Sequence, residues 1–296
     1  MTDRVIDISQ TGVSLRICHR QLVAKMPDGT AETMPLDDIA VIVSAHPRTT
    51  FSQAVLAELI DKGGSFVLCN DKCLPVGMLM PLSSNYIQAE RIAAQAQAKL
   101  PVKKRLWQQV VIAKLKAQSA LLLRLRGTDG GIGAMAARVR SGDSANMEAQ
   151  AAIRHWRLLF ANASFTRNHK AEDQNRLLNY GYAVLRAIVA RGLSGAGLHL
   201  SMGIHHHNRY DPFCLADDIM EPMRPLVDEA VVRLVELRGA SAPLDSEAKT
   251  CLIEKLQQRF DCNGEMRTLF DIANRLGSSL ADAYAGAKPA LVFPSI

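Results

Sequence analysis

The sequence predicts an α+β protein: a small, sandwich-like β-rich domain over residues 1–82, followed by a larger all-helical domain over residues 83–296. Three observations predict it. Short β-prone runs fill the first 80 residues, beginning with Val5-Ile6-Asp7-Ile8. Past Pro81 the apolar residues recur at helical spacing almost without interruption. The charge also changes character between the two parts. With 296 residues, 48% hydrophobic and 22% charged, the chain has ample material for a core. That composition excludes a disordered chain, a collagen-like fibre and a coiled-coil rod.

In the first part, Val13–Ile17, Gln21–Lys25 and Ile39–Val43 read as strands. Pro27-Asp28-Gly29-Thr30 is a turn that closes Gln21–Lys25 onto the next run. Val55, Leu56, Leu59 and Ile60 share one helical face, and Gly63-Gly64 ends that helix. Phe66–Leu68 and Pro75–Leu79 return to strand. In the second part the spacing predicts helices over 86–99, 103–126, 146–162, 173–191, 214–221, 226–238, 246–260 and 266–285.

No stretch reaches the roughly 18 uncharged apolar residues of a membrane-spanning helix. Met1-Thr2-Asp3-Arg4 lacks a basic region followed by an apolar run, so no signal peptide and a cytoplasmic location are expected. The six cysteines include a C-x3-C pair, Cys69 and Cys73, without a second pair at zinc-site spacing. Buried free thiols are the expectation.

The formal net charge of +6 is unevenly spread. Residues 1–80 are slightly acidic. Residues 86–140 carry eleven basic side chains against Glu90 and Asp129, whereas ordinary solvated helices pair their charges. A phosphate backbone is the partner this stretch suggests. The candidate contacts are Lys103, Lys104, Arg105, Lys114, Arg124 and Arg126. Residues 211–265 reverse the sign. There Asp217, Asp218 and Glu221 crowd one helical face, with Arg224 placed to pair with one of them. Two readings stand: a solvated acidic turn, or a divalent-metal site. His205-His206-His207 precede that segment, as surface histidines or as a source of one ligand. Glu148 follows Asn146, a good N-cap, and lies on the stripe Glu148, Ala152, Trp156, Leu159, with Ile153 and Phe160 close by, which is expected to face the core. It is either satisfied by the helix start or bound to metal. Two carboxylates and an imidazole suit Mg²⁺ or Mn²⁺. Neither an H-E-x-x-H, nor a G-x4-G-K-[ST] loop, nor a G-x-S-x-G elbow is present.

Four ordered motifs carry a resemblance. They are Asn146-Met147-Glu148-Ala149, Leu178-Asn179-Tyr180-Gly181-Tyr182-Ala183-Val184-Leu185-Arg186, Gly203-Ile204-His205-His206-His207-Asn208, and Leu215-Ala216-Asp217-Asp218-Ile219-Met220-Glu221-Pro222-Met223-Arg224-Pro225. The whole chain resembles the CRISPR-associated spacer-acquisition integrases, most of all the branch found with Cas9-type (type II) systems. The resemblance implies an N-terminal β domain and a helical catalytic domain. It also implies a metal-dependent DNA integrase and endonuclease that inserts short duplex DNA into a CRISPR array. Glu148, His206 and Glu221 match the family's metal-holding and catalytic positions. Asp218 matches a supporting acid, and Arg224 lies in the Pro-x-Arg-Pro motif. Met223 stands where the family often has Phe. The implied partners are double-stranded DNA (prespacer and CRISPR repeat), a second copy in a homodimer, and a small second adaptation protein bridging two dimers, with other type II components beside them. The rival readings are a metal-dependent nuclease that integrates nothing, and a non-catalytic DNA-binding scaffold.

Overall fold

A computed structural model describes residues 4–71, 73, 75–162, 164–168, 170–288 and 290–296. The first three residues of the N-terminal reading lie outside it. The chain divides into two compact units, Met1–Ser84 and Asn85–Ile296.

Among the described residues, the first unit contains eight strands: β1 Arg4–Ile8, β2 Ser14–Cys18, β3 Gln21–Lys25, β4 Ala31–Pro35, β5 Ile39–Ser44, β6 Thr50–Phe51, β7 Ser65–Cys69 and β8 Pro75–Leu79. Helix α1, Gln53–Asp61, lies between β6 and β7. One sheet has the order β1-β5-β7-β8, the other β4-β3-β2-β6. The run Ile39-Ala40-Val41-Ile42-Val43 lacks alternation because β5 is central in its sheet and buried throughout. Its neighbours β1 and β7 are both parallel to it, and α1 lies in the crossover to β7. The expected turn closes β3 onto β4: Asp28 accepts from the Thr30 N–H at 2.9 Å, and Gly29 takes φ +90°. Leu15 and Leu22 from one sheet, Ile42 and Phe66 from the other, and Val55 and Leu59 from α1 form one core. The sandwich-like expectation holds.

The second unit is helical: α2 Gln88–Gln97, α3 Leu100–Arg126, α4 Ile132–Ala136, α5 Met147–Leu159, α6 Gln174–Gly195, α7 Cys214–Met220, α8 Arg224–Arg238, α9 Ser246–Gln257 and α10 Leu269–Tyr284. Helix α3 begins three residues before the predicted start. Pro101 lies in its first turn, where its missing N–H costs nothing. Helix α6 is the hub, packed by α7, α8, α9 and α10. Its Gly192 lets α10 approach so closely that a Cβ would lie 2.7 Å from the Ala273 carbonyl carbon.

The sequence reading carries one helix to residue 260 and starts the next at 266, where the chain makes a hairpin instead. Strand β9, Arg259–Cys262, pairs antiparallel with β10, Glu265–Thr268, across Asn263 and Gly264, both with positive φ. Asn-Gly is the residue pair that such a two-residue turn requires. No helix among the described residues is long and apolar enough to cross a membrane. All six cysteines are free, but of those expected to be buried only Cys214 and Cys262 are; Cys18 is exposed and Cys69, Cys73 and Cys251 are part-buried, because they fall on element edges and surfaces.

Candidate functional site

Helix α3 is the spine of the site. Its buried stripe runs through Trp107, Val111, Lys114, Gln118, Leu121 and Leu122. An ammonium therefore lies among apolar neighbours, where an unpaired charge is costly. Lys114 Nζ lies 2.5 Å from Glu148 Oε1 and 2.6 Å from Glu221 Oε2. Burial pushes the lysine down, but Glu221 and Glu148 outweigh it and hold it above its ordinary range. Lys114 was expected on a DNA-facing track. It is instead a buried counter-ion, because position 114 falls on the core side of α3.

Glu148 stands in the first turn of α5, but the expected helix phase is off by one residue. The buried stripe is Met147, Ala151, His155 and Leu159. Glu148 flanks it with 23% of its side chain exposed, and Ile153, expected near the core, is 58% exposed. Asn146 takes a left-handed conformation and its side chain makes no cap. Asp143 caps the helix instead, accepting from the N–H groups of Met147 at 2.9 Å and Glu148 at 3.0 Å.

The three acids of the 217–221 segment do not share one partner. Asp217 meets Arg186, with Arg186 Nε donating to Oδ1 at 2.6 Å. Asp218, fully buried, turns to the histidine loop. Its Oδ2 accepts from the N–H groups of Ile204 (2.7 Å) and His205 (2.8 Å), and its Oδ1 lies 2.5 Å from His206 Nδ1. Glu221 opens a 3-10 turn, Glu221–Met223, where Arg224 Nε donates to its Oε1 at 2.8 Å. The expected Arg224 pairing is thus with Glu221. Burial pushes the Glu221 carboxyl up, but Arg224 and Lys114 overcome this and hold it at about 2. A carboxyl depressed in this way stabilises the fold above its ordinary range. That stabilisation fades only as pH falls from about 4.5 toward 2.

The hydrogen bond to Asp218 raises the His206 pKa against partial burial. It also places the proton on Nδ1, leaving Nε2 as the lone-pair nitrogen. His205 does not compete for this role: its ring stacks flat on Trp107 at 4.3 Å, and Trp107 meets His206 edge-on at 5.6 Å. The loop is compact because residue 203 is glycine. A Cβ there would lie 2.3 Å from the His206 carbonyl oxygen and 3.0 Å from Asp218 Oδ2. Gly203→Ala is expected to cost about 1–3 kcal/mol in thermal denaturation, since backbone on one side cannot yield.

Behind the acids, Tyr182 lies in the core. Arg224 sits 4.6 Å above its ring, and its hydroxyl donates to Asp228, which also pairs with His155 Nε2 at 2.9 Å. The 180–186 stretch therefore supports the site from behind.

Among the described residues, no three His, Cys, Asp or Glu are gathered as a ready metal cage. Glu148 and Glu221 are brought together across Lys114. His206 feels both charges but is bonded to Asp218. The donor set nevertheless fits a divalent ion: two carboxylates from separate elements already share one cation, Glu221 Oε2 has no hydrogen-bond partner beyond that ionic contact, and His206 keeps Nε2 available.

The remaining basic candidates divide. Arg124 pairs with Glu229 at 3.0 Å, and Arg126 with Glu236 at 2.8 Å and the Leu159 carbonyl, so both are held by the fold rather than free for a track. Lys103, Lys104 and Arg105, in the first turns of α3, form no ion pair among the described residues, and Lys104 and Arg105 are exposed.

These features define a class of two-unit proteins in which a helical part gathers two carboxylates on one buried cation and carries an imidazole–carboxylate pair beside them. The family model for CRISPR associated protein Cas1 matches residues 6–256, and the chain belongs to that family. A CRISPR-associated endonuclease Cas1 from Neisseria meningitidis serogroup C (strain 8013) is 38% identical over 250 residues, covering 83% of this chain and 81% of that relative. The fold is similar to a casposase bound to integration product (TM-score 0.78, 18% identity, 98% of this chain and 92% of that one). It is also similar to a chain of a Cas6-RT-Cas1–Cas2 complex (TM-score 0.76, 18% identity, all of this chain and 36% of that one).

Proposed function

We propose that the protein is a divalent-metal-dependent CRISPR adaptation integrase that joins short duplex DNA to a CRISPR repeat by transesterification. The observation that carries this reading is the junction of Glu148 and Glu221 on one cation beside an imidazole whose tautomer is fixed. Family membership and the endonuclease relatives support the substrate class.

Glu148, Glu221 and His206 Nε2 would hold Mg²⁺ or Mn²⁺. When bound, the ion supplies charge stabilisation to a phosphate under attack. Asp218 keeps the His206 proton on Nδ1. Arg224 orients Glu221 and, with Tyr182 beneath it, keeps that carboxylate ionised. The 3′-hydroxyl of the incoming DNA attacks phosphorus in the target strand. The new P–O bond forms as the bond to the target's 3′-oxygen breaks, and that oxygen leaves with a proton, so no covalent enzyme intermediate is needed. A duplex has two ends, which calls for two active sites and hence a homodimer, with residues 1–82 as the dimerising part. A Cas2-type small protein would bridge two such dimers, as a Cas2 accompanies the structural relative described above.

The test supplies the chain, its partner protein, a prespacer duplex and a repeat-containing plasmid. The expected result is strand-joined product that appears with Mn²⁺ and vanishes with chelator. Nicks without joining would favour a plain nuclease, and DNA binding without either product a scaffold.

Lys103, Lys104 and Arg105 are the proposed phosphate contacts. Changing all three to Ala is expected to reduce the slope of log binding constant against log salt by about 2 to 3 on duplex DNA. Lys114→Met, at a buried position, is expected to leave that slope unchanged.

A further inference from the structure

The acidic pair has an occupant of its own. Glu148 comes from α5 and Glu221 from the turn after α7, and Lys114 of α3 touches both carboxylates, at 2.5 and 2.6 Å. The lysine is 7% exposed and Glu221 is likewise 7% exposed, so water does little to screen the repulsion between the two acids. Arg224 neutralises Glu221 from the other side, and His206 is the remaining titratable neighbour. With both cations in place the two carboxylates are balanced without any metal.

We propose that Lys114 is a resident counter-cation, which assembles Glu148 and Glu221 in the metal-free protein and has to leave them when a divalent ion binds. The inference rests on the metal-centre reading above. Hard divalent ions take carboxylate oxygens at about 2.0–2.6 Å, which is the space the ammonium occupies. An ammonium and a divalent ion on the same two oxygens repel each other strongly at this burial. Metal binding therefore includes the displacement of Lys114. The lysine protects the empty site from repulsion and from weakly held ions, at the expense of affinity. Trp107, two turns earlier on the same stripe, braces the histidine loop, so one face of α3 carries both the placeholder cation and the support for the third ligand.

The test measures Mn²⁺ binding by titration calorimetry to wild type, Lys114→Met and Lys114→Gln, with circular dichroism to check folding. Both neutral variants are expected to bind Mn²⁺ about tenfold more tightly or better, because the competitor is gone and the ion relieves the exposed repulsion. They are also expected to gain more thermal stability from Mn²⁺ than wild type does. A second measurement needs no variant. Amine-selective acetylation of wild type, read by mass spectrometry, should be slow at Lys114 without metal and faster with saturating Mn²⁺. Folded variants with unchanged or weaker Mn²⁺ affinity would overturn the proposal, as would Lys114 labelling that ignores Mn²⁺. If wild type and both variants fail to bind Mn²⁺ at all, the metal-centre reading falls and this inference with it. Equal affinities in all three would sink the lysine role alone.

Discussion

Glu148→Gln and His206→Ala are each expected to lower strand transfer by about a thousandfold or more, a loss of roughly 4 kcal/mol of transition-state stabilisation. Binding of the same duplex DNA should stay within about threefold of wild type. Glutamine keeps the shape of Glu148 but removes the charge that any cation at the pair requires. Lys114 then remains with Glu221 alone, at 2.6 Å. His206→Ala removes a half-exposed ring from a loop whose backbone is held independently by Asp218, so the fold is expected to survive. Joined product and fluorescence anisotropy measured on the same preparations check the two halves. A DNA-binding scaffold would show no loss in either.

Asp218→Asn is expected to act through His206 without touching DNA. Two backbone N–H groups point at Oδ2, so the amide oxygen must take that place. The NH₂ then faces His206 Nδ1, where the native carboxylate oxygen lies at 2.5 Å. A donor there forces the imidazole proton onto Nε2 and removes the lone pair proposed as a ligand. Metal affinity and strand transfer are expected to fall by about 10- to 100-fold. The thermal stability change should be smaller, about 1–2 kcal/mol, because the loop's backbone bonds persist. Nitrogen-15 shifts of the His206 ring report the tautomer directly. A D218N protein with the proton still on Nδ1 and full activity would contradict this chain of effects. Asp218→Ala, which leaves three backbone N–H donors without their carboxylate, should cost considerably more stability.

Much of the fold was legible because its signals are local. The apolar run of β5, the Asp28-Gly29 turn and the helical spacing of residues 173–191 need no tertiary information. The hairpin at Asn263-Gly264 was legible too, but its two strands are only four residues each and sit between strong helical patterns. At the site, the spacing of Asp217, Asp218 and Glu221 identified the acids and left their partners open. One face of a short helix can still send its carboxylates to Arg186, to a loop and to α3. Counting charges along 86–140 misread Lys114, since a sign count ignores the helical phase. The stripe from Trp107 through Val111 to Leu121 would have placed that lysine inward. The same kind of phase error put Ile153 in the core and left His155 out of it. His155 is fully buried against Asp228, a pairing between residues 73 positions apart that no local pattern carries.

The account turns on whether Glu148, His206 and Glu221 meet on one divalent ion. The most direct measurement is the anomalous difference map of a crystal soaked in Mn²⁺. A single peak within about 2.0–2.6 Å of Glu148, Glu221 and His206 Nε2, with the Lys114 ammonium moved off both carboxylates, is the predicted result. A peak elsewhere, or no peak at the pair with Lys114 still bridging it at saturating Mn²⁺, would contradict the account.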